Sequence, residues 1–243
     1  MVEPWAHGSV IRATRYPSYY DFNLVRVDHD RGLSVDALVA FADRALAGLA
    51  HRRLEFDLAD VAEPLRRGFE AQGWKAERLV KMRLASAPPS GPAVAVDEVT
   101  YEAVHELRVA WSREEAPDQD PSGFLAQMRD VALRRDAQVL AVRREGAPVA
   151  FAQLERVGDA AEIAGVYVCP ELRGDGIGTA LTCAAIEAGG PVRDLWIDAD
   201  DEGRPKELYA RLGFRPVWTM MQFTRVPAGG IRRLIAPGRA PRR

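Results

Sequence analysis

The residues best placed to do chemistry lie in one run, Val166-Tyr167-Val168-Cys169-Pro170-Glu171-Leu172-Arg173-Gly174-Asp175-Gly176-Ile177-Gly178-Thr179-Ala180-Leu181. Its β-branched start reads as a strand, its glycines as a loop, and Ile177 onward as an amphipathic helix. A helix start leaves N–H groups without intrahelical partners and carries roughly half a positive charge, and glycines let an oxygen approach the backbone closely. Such a turn is an anion site, to which Arg173 adds a permanent cation. Spacing separates it from two other phosphate loops. Gly178 is followed by Thr179-Ala180 and not by lysine, so the run is not a Walker A loop. Counting from Gly174 and Gly176, the third glycine of a dinucleotide fingerprint would fall on Thr179.

The elements that must position this loop can be read around it. Before it, Gln138 to Arg143, Pro148 to Val157 and Ala161 to Val168 alternate as strands, with Glu145-Gly146 and Gly158-Asp159 suited to hairpin turns. Helices are expected at Tyr101 to Trp111, Pro121 to Arg134, Ile177 to Ala188 and Arg204 to Leu212. Strands are expected at Leu195 to Asp198 and Val217 to Thr224. The run Ala85-Ser86-Ala87-Pro88-Pro89-Ser90-Gly91-Pro92 forbids continuous helix and reads as a linker. Ahead of it lie a strand at Asn23 to Val27, a helix at Val35 to Leu49 capped by Ser34, a strand at Arg53 to Asp57, a helix at Ala62 to Gln72 and a strand through Leu79, Val80 and Met82. The two halves echo each other. Leu54-Glu55-Phe56-Asp57 matches Leu195-Trp196-Ile197-Asp198, and Gly73-Trp74 matches Gly213-Phe214, at nearly the same offset.

The loop resembles motif A of the GCN5-related N-acetyltransferase (GNAT) superfamily, whose R/Q-x-x-G-x-G/A pattern is met by Arg173, Gly176 and Gly178. Leu208-Tyr209-Ala210-Arg211-Leu212-Gly213-Phe214 matches its second signature, L-Y-x-x-x-G-F. The resemblance covers about Asp97 to Val226. It implies an α/β fold with a central, mostly antiparallel mixed sheet flanked by helices, with two strands splayed to admit acetyl-CoA as cosubstrate. By the same resemblance Val166, Tyr167 and Val168 would offer backbone groups to the acetyl carbonyl and pantetheine. Arg173, Gly174, Asp175, Gly176, Ile177, Gly178 and Thr179 would hold the pyrophosphate. Tyr209 would be the acid facing the coenzyme sulfur, with a core aromatic as its bland alternative. An amine acceptor must lose a proton before attack, so a carboxylate is needed as base. Glu162 stands where some family members place one, with Glu155 next. Asp200-Asp201-Glu202 is expected to be a solvated turn, or alternatively an acidic lip for a cationic acceptor.

The N-terminal half has no such loop, so it resembles a degenerate GNAT copy, truncated before its first strands. The expected organisation is residues 1–85 as that copy, 86–93 as linker, 94–226 as the acetyltransferase domain and 227–243 as a basic, flexible tail with five arginines. The expected function is transfer of acetyl from acetyl-CoA to a primary amine within a ternary complex. The rival readings are a longer acyl-CoA or a hydroxyl acceptor, and a non-catalytic acyl-CoA-binding or interaction module.

Composition narrows partners. Lys plus Arg (33) nearly balances Asp plus Glu (35), so no chain-wide positive field invites nucleic acid. Only Lys75, Lys81 and Lys206 are lysine. No stretch of about 18 apolar residues and no signal-like start occurs, and a cytoplasmic protein without membrane contact is expected. Two cysteines, Cys169 and Cys183, are too few for a disulfide scaffold or a zinc cage. They read as a loop residue and a buried helix residue. Asp28-His29-Asp30 points to opposite sides of an extended segment, and no metal is expected. The acceptor is expected to be a small-molecule or protein amine, and the protein a monomer or homodimer.

Overall fold

A computed structural model describes residues 1–28, 32–89, 91–117 and 120–226. The basic tail from Pro227, and His29 and Asp30 of the Asp28-His29-Asp30 triplet, lie outside the described residues. The N-terminal half contains β1 (Val2–Trp5), β2 (Gly8–Ile11), β3 (Leu24–Val27), α1 (Val35–Ala45), β4 (Arg52–Phe56), α2 (Ala59–Ala62), α3 (Arg66–Ala71) and β5 (Lys75–Leu84). The C-terminal half contains β6 (Asp97–Val99), α4 (His105–Glu115), α5 (Ser122–Arg134), β7 (Gln138–Arg144), β8 (Ala147–Val157), β9 (Ala160–Val168), α6 (Ile177–Gly189), β10 (Asp194–Asp200), α7 (Pro205–Arg211) and β11 (Phe214–Arg225). Among the described residues no helix is long and apolar enough to cross a membrane.

Local chemistry accounts for most boundaries. Ser34 caps α1 by accepting from the Ala37 N–H. Glu145 and Gly146, both at positive φ, make the β7–β8 hairpin turn. Pro64 has no N–H to give, so the expected helix over 62–72 is broken into α2, a 3₁₀ turn and α3. Two strands precede the first expected one, so the N-terminal half is not truncated there. The obstacle to reading them is Pro4 inside β1, which is tolerated because β1 is an edge strand with one ladder only.

All eleven strands join one sheet in the order β1-β2-β3-β4-β11-β5-β10-β9-β8-β7-β6. Its centre is a palindrome. β3 and β4 are parallel, as are β9 and β10, while β4–β11, β11–β5 and β5–β10 are antiparallel. Each half therefore passes its last strand to the far side of the other's, with β11 seated between β4 and β5. Gly73 and Gly213, both at positive φ, end the corresponding helices ahead of Trp74 and Phe214, which explains the repeated Gly-aromatic pair.

One face of the sheet carries two apolar cores. The first packs α6 and α7 on β8, β9 and β10 through Ile163, Val166, Val168, Leu181, Ile197 and Tyr209. The second packs α1, α2 and α3 on β3, β4 and β11 through Val25, Leu38, Leu54, Phe56, Phe69 and Phe223. On the other face α4 and α5 cover β7, β8 and β9 through Trp111, Phe124, Phe151 and Tyr167. The proline-rich run is not a loose tether at its end. A Cβ on Gly91 would meet Cys183 Sγ at 3.3 Å and one on Gly176 would meet Pro92 at 3.5 Å, so 91–92 lie against the start of α6.

Candidate active site

The site begins where two paired strands part. β9 and β10 are in register from Asp194↔Ala160 to Ile197↔Ile163, and there the pairing ends. β9 continues to Val168 on β8 alone, and β10 to Asp200 on β5 alone. The divergence coincides with a bulge in β9, where Ala164 is unpaired between Ile163 and Gly165. A bulge adds local twist and releases backbone groups from the ladder. The equivalent pair in the other half, β3 and β4, stays in register to Val27↔Phe56, the end of β3, so no gap opens there.

The gap opens into a cleft of about 440 Å³ lined by Val166, Val168, the 172–179 loop and one side of α7. The loop's shape depends on glycine. Gly174 and Gly176 have φ of 103° and 80°, and Gly176 is the residue immediately before α6. The first rung of α6 is the Ala180 N–H to the Gly176 carbonyl, at 3.0 Å. The N–H groups of Ile177, Gly178 and Thr179 precede that rung and face the start of the helix, which suits an anion.

Not every expected loop residue contributes its side chain. Arg173 borders the cleft, but its Nη1 and Nη2 donate to both carboxylate oxygens of Glu114 at 2.7 Å, and its Nε donates to the Val168 carbonyl at 3.0 Å. Arg173 thus closes the loop onto α4 and β9 and is not a free cation. Ile177 is buried in the core, and Asp175 is exposed away from the cleft lining. Tyr167 points to the opposite face, stacked on Trp111 at 5.5 Å between ring centres. Only backbone groups of Ile177 and Tyr167 can serve a ligand in the cleft.

Across the cleft, Tyr209 is buried and lines the wall, with burial pushing its phenol pKa well up. A neutral phenol is therefore kept throughout the ordinary assay range. Beside it stand Arg204 and Arg211, which make no ion pair among the described residues. Sequence reading passed over both in an arginine-rich chain. The spacing of Arg204, Leu208 and Arg211 at i, i+4 and i+7 marked one helical face, but which face met the loop required the fold. The acids at 200–202 line neither cavity. Asp201 pairs with Arg78 and Lys206, each at 2.9 Å, and Glu202 with Arg66 at 2.9 Å. They fasten the turn before α7 to the N-terminal half.

On the far side of β9 lies a second, smaller cavity of about 140 Å³. Glu162, Ala164 and Gly165 line it, next in sequence to the Val166 that lines the cleft, so the two cavities flank β9 at the bulge. Gly165 keeps this floor low, since a Cβ there would press on the Trp111 ring at 3.2 Å. Glu162 Oε1 accepts from Lys81 Nζ at 3.2 Å, and the same ammonium pairs with Asp198 at 3.0 Å. Lys81, on β5 of the N-terminal half, thereby bridges β9 and β10 at the root of the gap. Burial opposes its charge, but the two carboxylates more than compensate and raise its pKa. Glu155 is also in the cavity wall, with Oε1 accepting from Gln153 at 2.8 Å and Oε2 from Arg135. Tyr19, Asp21 and Phe22 close the cavity from the N-terminal half.

A parted parallel pair with a glycine loop and a helix start at its mouth makes a cleft suited to an anionic ligand. Residues 135–216 match the family model "Acetyltransferase (GNAT) domain". The fold extends over both halves. A functionally unknown conserved protein from Staphylococcus epidermidis ATCC 12228 is similar over 92% of each chain, at 14% identity and a TM-score of 0.71. The GCN5-related N-acetyltransferase from Sphaerobacter thermophilus is similar over 85% of this chain and 72% of its own, at 15% identity and a TM-score of 0.56. The tandem GNAT protein from the clavulanic acid biosynthesis pathway is similar over 83% and 74%, at 18% identity and a TM-score of 0.52. At these identities the likeness is one of fold. No curated protein sequence matches the chain.

Proposed function

We propose that this protein transfers the acetyl group of acetyl-CoA to a primary amine bound on the opposite face of β9, with both substrates present together. The observation that carries the reading is the parting of β9 from β10 after Ile163 and Ile197, with a cleft on one face of β9 and a cavity on the other. The cleft suits the cosubstrate. The N–H groups of Ile177, Gly178 and Thr179, with Arg204 and Arg211, meet a pyrophosphate, and Val166 and Val168 offer an apolar wall to the pantetheine arm along a stretch of β9 that β10 does not pair. The thioester supplies the activated acyl carbon, and the chain supplies placement and proton handling.

A backbone N–H on β9 beyond the bulge would donate to the acyl oxygen as negative charge builds on it, a contact that gains strength as the reaction proceeds. Glu162 is the better of the two carboxylates for taking the amine proton. Glu155 has both oxygens in hydrogen bonds, whereas Glu162 leaves Oε2 without a partner among the described residues. Tyr209, held neutral by burial, would donate its hydroxyl proton to the departing sulfur. Cys169 and Cys183 are free thiols that this route does not use. The test is a calorimetric titration of the full chain with acetyl-CoA, followed by an amine screen read by free-thiol release. One saturable site and amine-dependent thiol release are expected. Absence of acetyl-CoA binding would overturn the reading.

A further inference from the structure

We infer that the amine acceptor also carries a carboxylate, and that Arg108 is the residue that selects it. This rests on the transfer reading above and names its substrate class. Arg108, on α4, is only 2% exposed yet lines the 140 Å³ cavity. Its guanidinium lies over Tyr101 and Phe151, at 4.0 and 4.5 Å from the ring centres, so its planar edge is held in place. Among the described residues its one hydrogen bond runs from Nη2 to Gln153 Oε1 at 2.7 Å, and Nε is buried with no acceptor. A guanidinium taken from water normally comes with a carboxylate. Here the nearest such charge is reached only through Gln153, whose Nε2 donates to Glu155, and Glu155 is already paired with Arg135. One acid thus serves two cations.

The remaining charges of the cavity wall are paired. Asp21 meets Arg53, and Glu162 meets Lys81. The unbalanced charge is therefore Arg108, and it is fixed on the face where the acceptor must sit. Its fork geometry matches a carboxylate, which would complete the buried pair on binding. Glu162 and the β9 bulge lie in the same cavity, so an amine directed to the bulge and a carboxylate directed to Arg108 describe one compact molecule bearing both groups. The cavity is smaller than the roughly 300 Å³ at which drug-sized sites begin, which fits an amino-acid-like acceptor. Tyr19, Asp21 and Phe22 complete the wall, giving the N-terminal half a part in acceptor choice.

The test uses the full-length chain with acetyl-CoA and three matched acceptor sets: free amino acids, their carboxamides, and short peptides ending in a free carboxylate. Free amino acids should be acetylated with kcat/KM on the order of 10- to 100-fold above the carboxamides, the range expected for a charged hydrogen bond. Arg108→Met should erase that difference while leaving acetyl-CoA affinity unchanged, and Arg108→Lys should keep part of it. Peptides matching free amino acids would assign the carboxylate to a chain terminus, and their failure would assign it to free small molecules. Carboxamides equal to the acids in the unaltered protein would overturn the inference and leave the transfer reading standing. Saturable binding of free amino acids in calorimetry, without thiol release, would overturn the transfer reading and leave the Arg108 site standing. Binding of no carboxylate would overturn the site.

Discussion

Gly176→Ala, set against Gly146→Ala, separates a conformational role of the loop glycine from a ligand-binding one. The two glycines hold nearly the same strained backbone, with φ of 80° and 83°. A methyl at Gly146 would meet nothing within 4 Å, and one at Gly176 would reach Pro92 only at 3.5 Å, an ordinary contact. Neither variant suffers a clash, so both incur the same cost of a left-handed L-residue, about 1–2 kcal/mol. For a chain of this length that lowers Tm by roughly 2–8 °C. Only at Gly176 does the backbone present N–H groups to the cleft. If the loop relaxes enough to turn one away from a phosphate oxygen, a charged hydrogen bond of about 1.5–3 kcal/mol is lost, or roughly 10- to 100-fold in affinity. The assays are differential scanning calorimetry of both variants and calorimetric titration with acetyl-CoA. Similar Tm losses with weakened binding in Gly176→Ala alone are expected. Equal acetyl-CoA affinity in both variants would refute the assignment of the loop to the pyrophosphate.

Other outcomes follow from the same geometry. Tyr209→Phe should lower kcat about 100-fold or more with acetyl-CoA affinity intact, and steady-state kinetics showing no change with a good acceptor would reduce Tyr209 to a core aromatic. Lys81→Met leaves Glu162 and Asp198 facing each other without their shared cation. It should destabilise the fold by about 2–3 kcal/mol, less than loss of one partner from a fully buried pair because Glu162 is 37% exposed; thermal melts showing no loss would contradict this. Burial of His51, beneath the Tyr20 ring, pushes its pKa down to about 4. The unfolded chain binds this proton at about pH 6.5 and the folded chain does not, so stability is full above that pH and falls as the solution is acidified towards 4. Denaturant titrations should show a loss on the order of 3 kcal/mol across that window, and an unchanged slope in His51→Gln would assign the pH dependence elsewhere.

Much of the fold was legible because its signals are local. The alternation in 138–168, the Ser34 cap and the glycines at 73, 146, 176 and 213 each report a period or a backbone angle that neighbouring residues decide. β1 was hidden by Pro4, since the harmlessness of that proline depends on the strand lying at an edge. The broken helix at Pro64 shows the reverse case, where a local rule outweighed an apolar pattern.

The linear chain by itself determined the glycine loop, the GNAT resemblance and the repeated Gly-aromatic pairs, because glycine spacing and helix starts are properties of contiguous residues. The tertiary structure alone decided what that loop's charges do. Arg173 is neutralised by Glu114, 59 residues away, while Arg204 and Arg211 make no ion pair among the described residues beside the cleft. It also decided that β11 sits between β4 and β5, so that Lys81 reaches Glu162 across the exchange of strands. Arg108 reads as one arginine among many until packing buries it beside two aromatic rings, with no carboxylate of its own among the described residues. Charge balance in a buried site depends on distances between segments remote in sequence, and those distances are set only when the sheet closes.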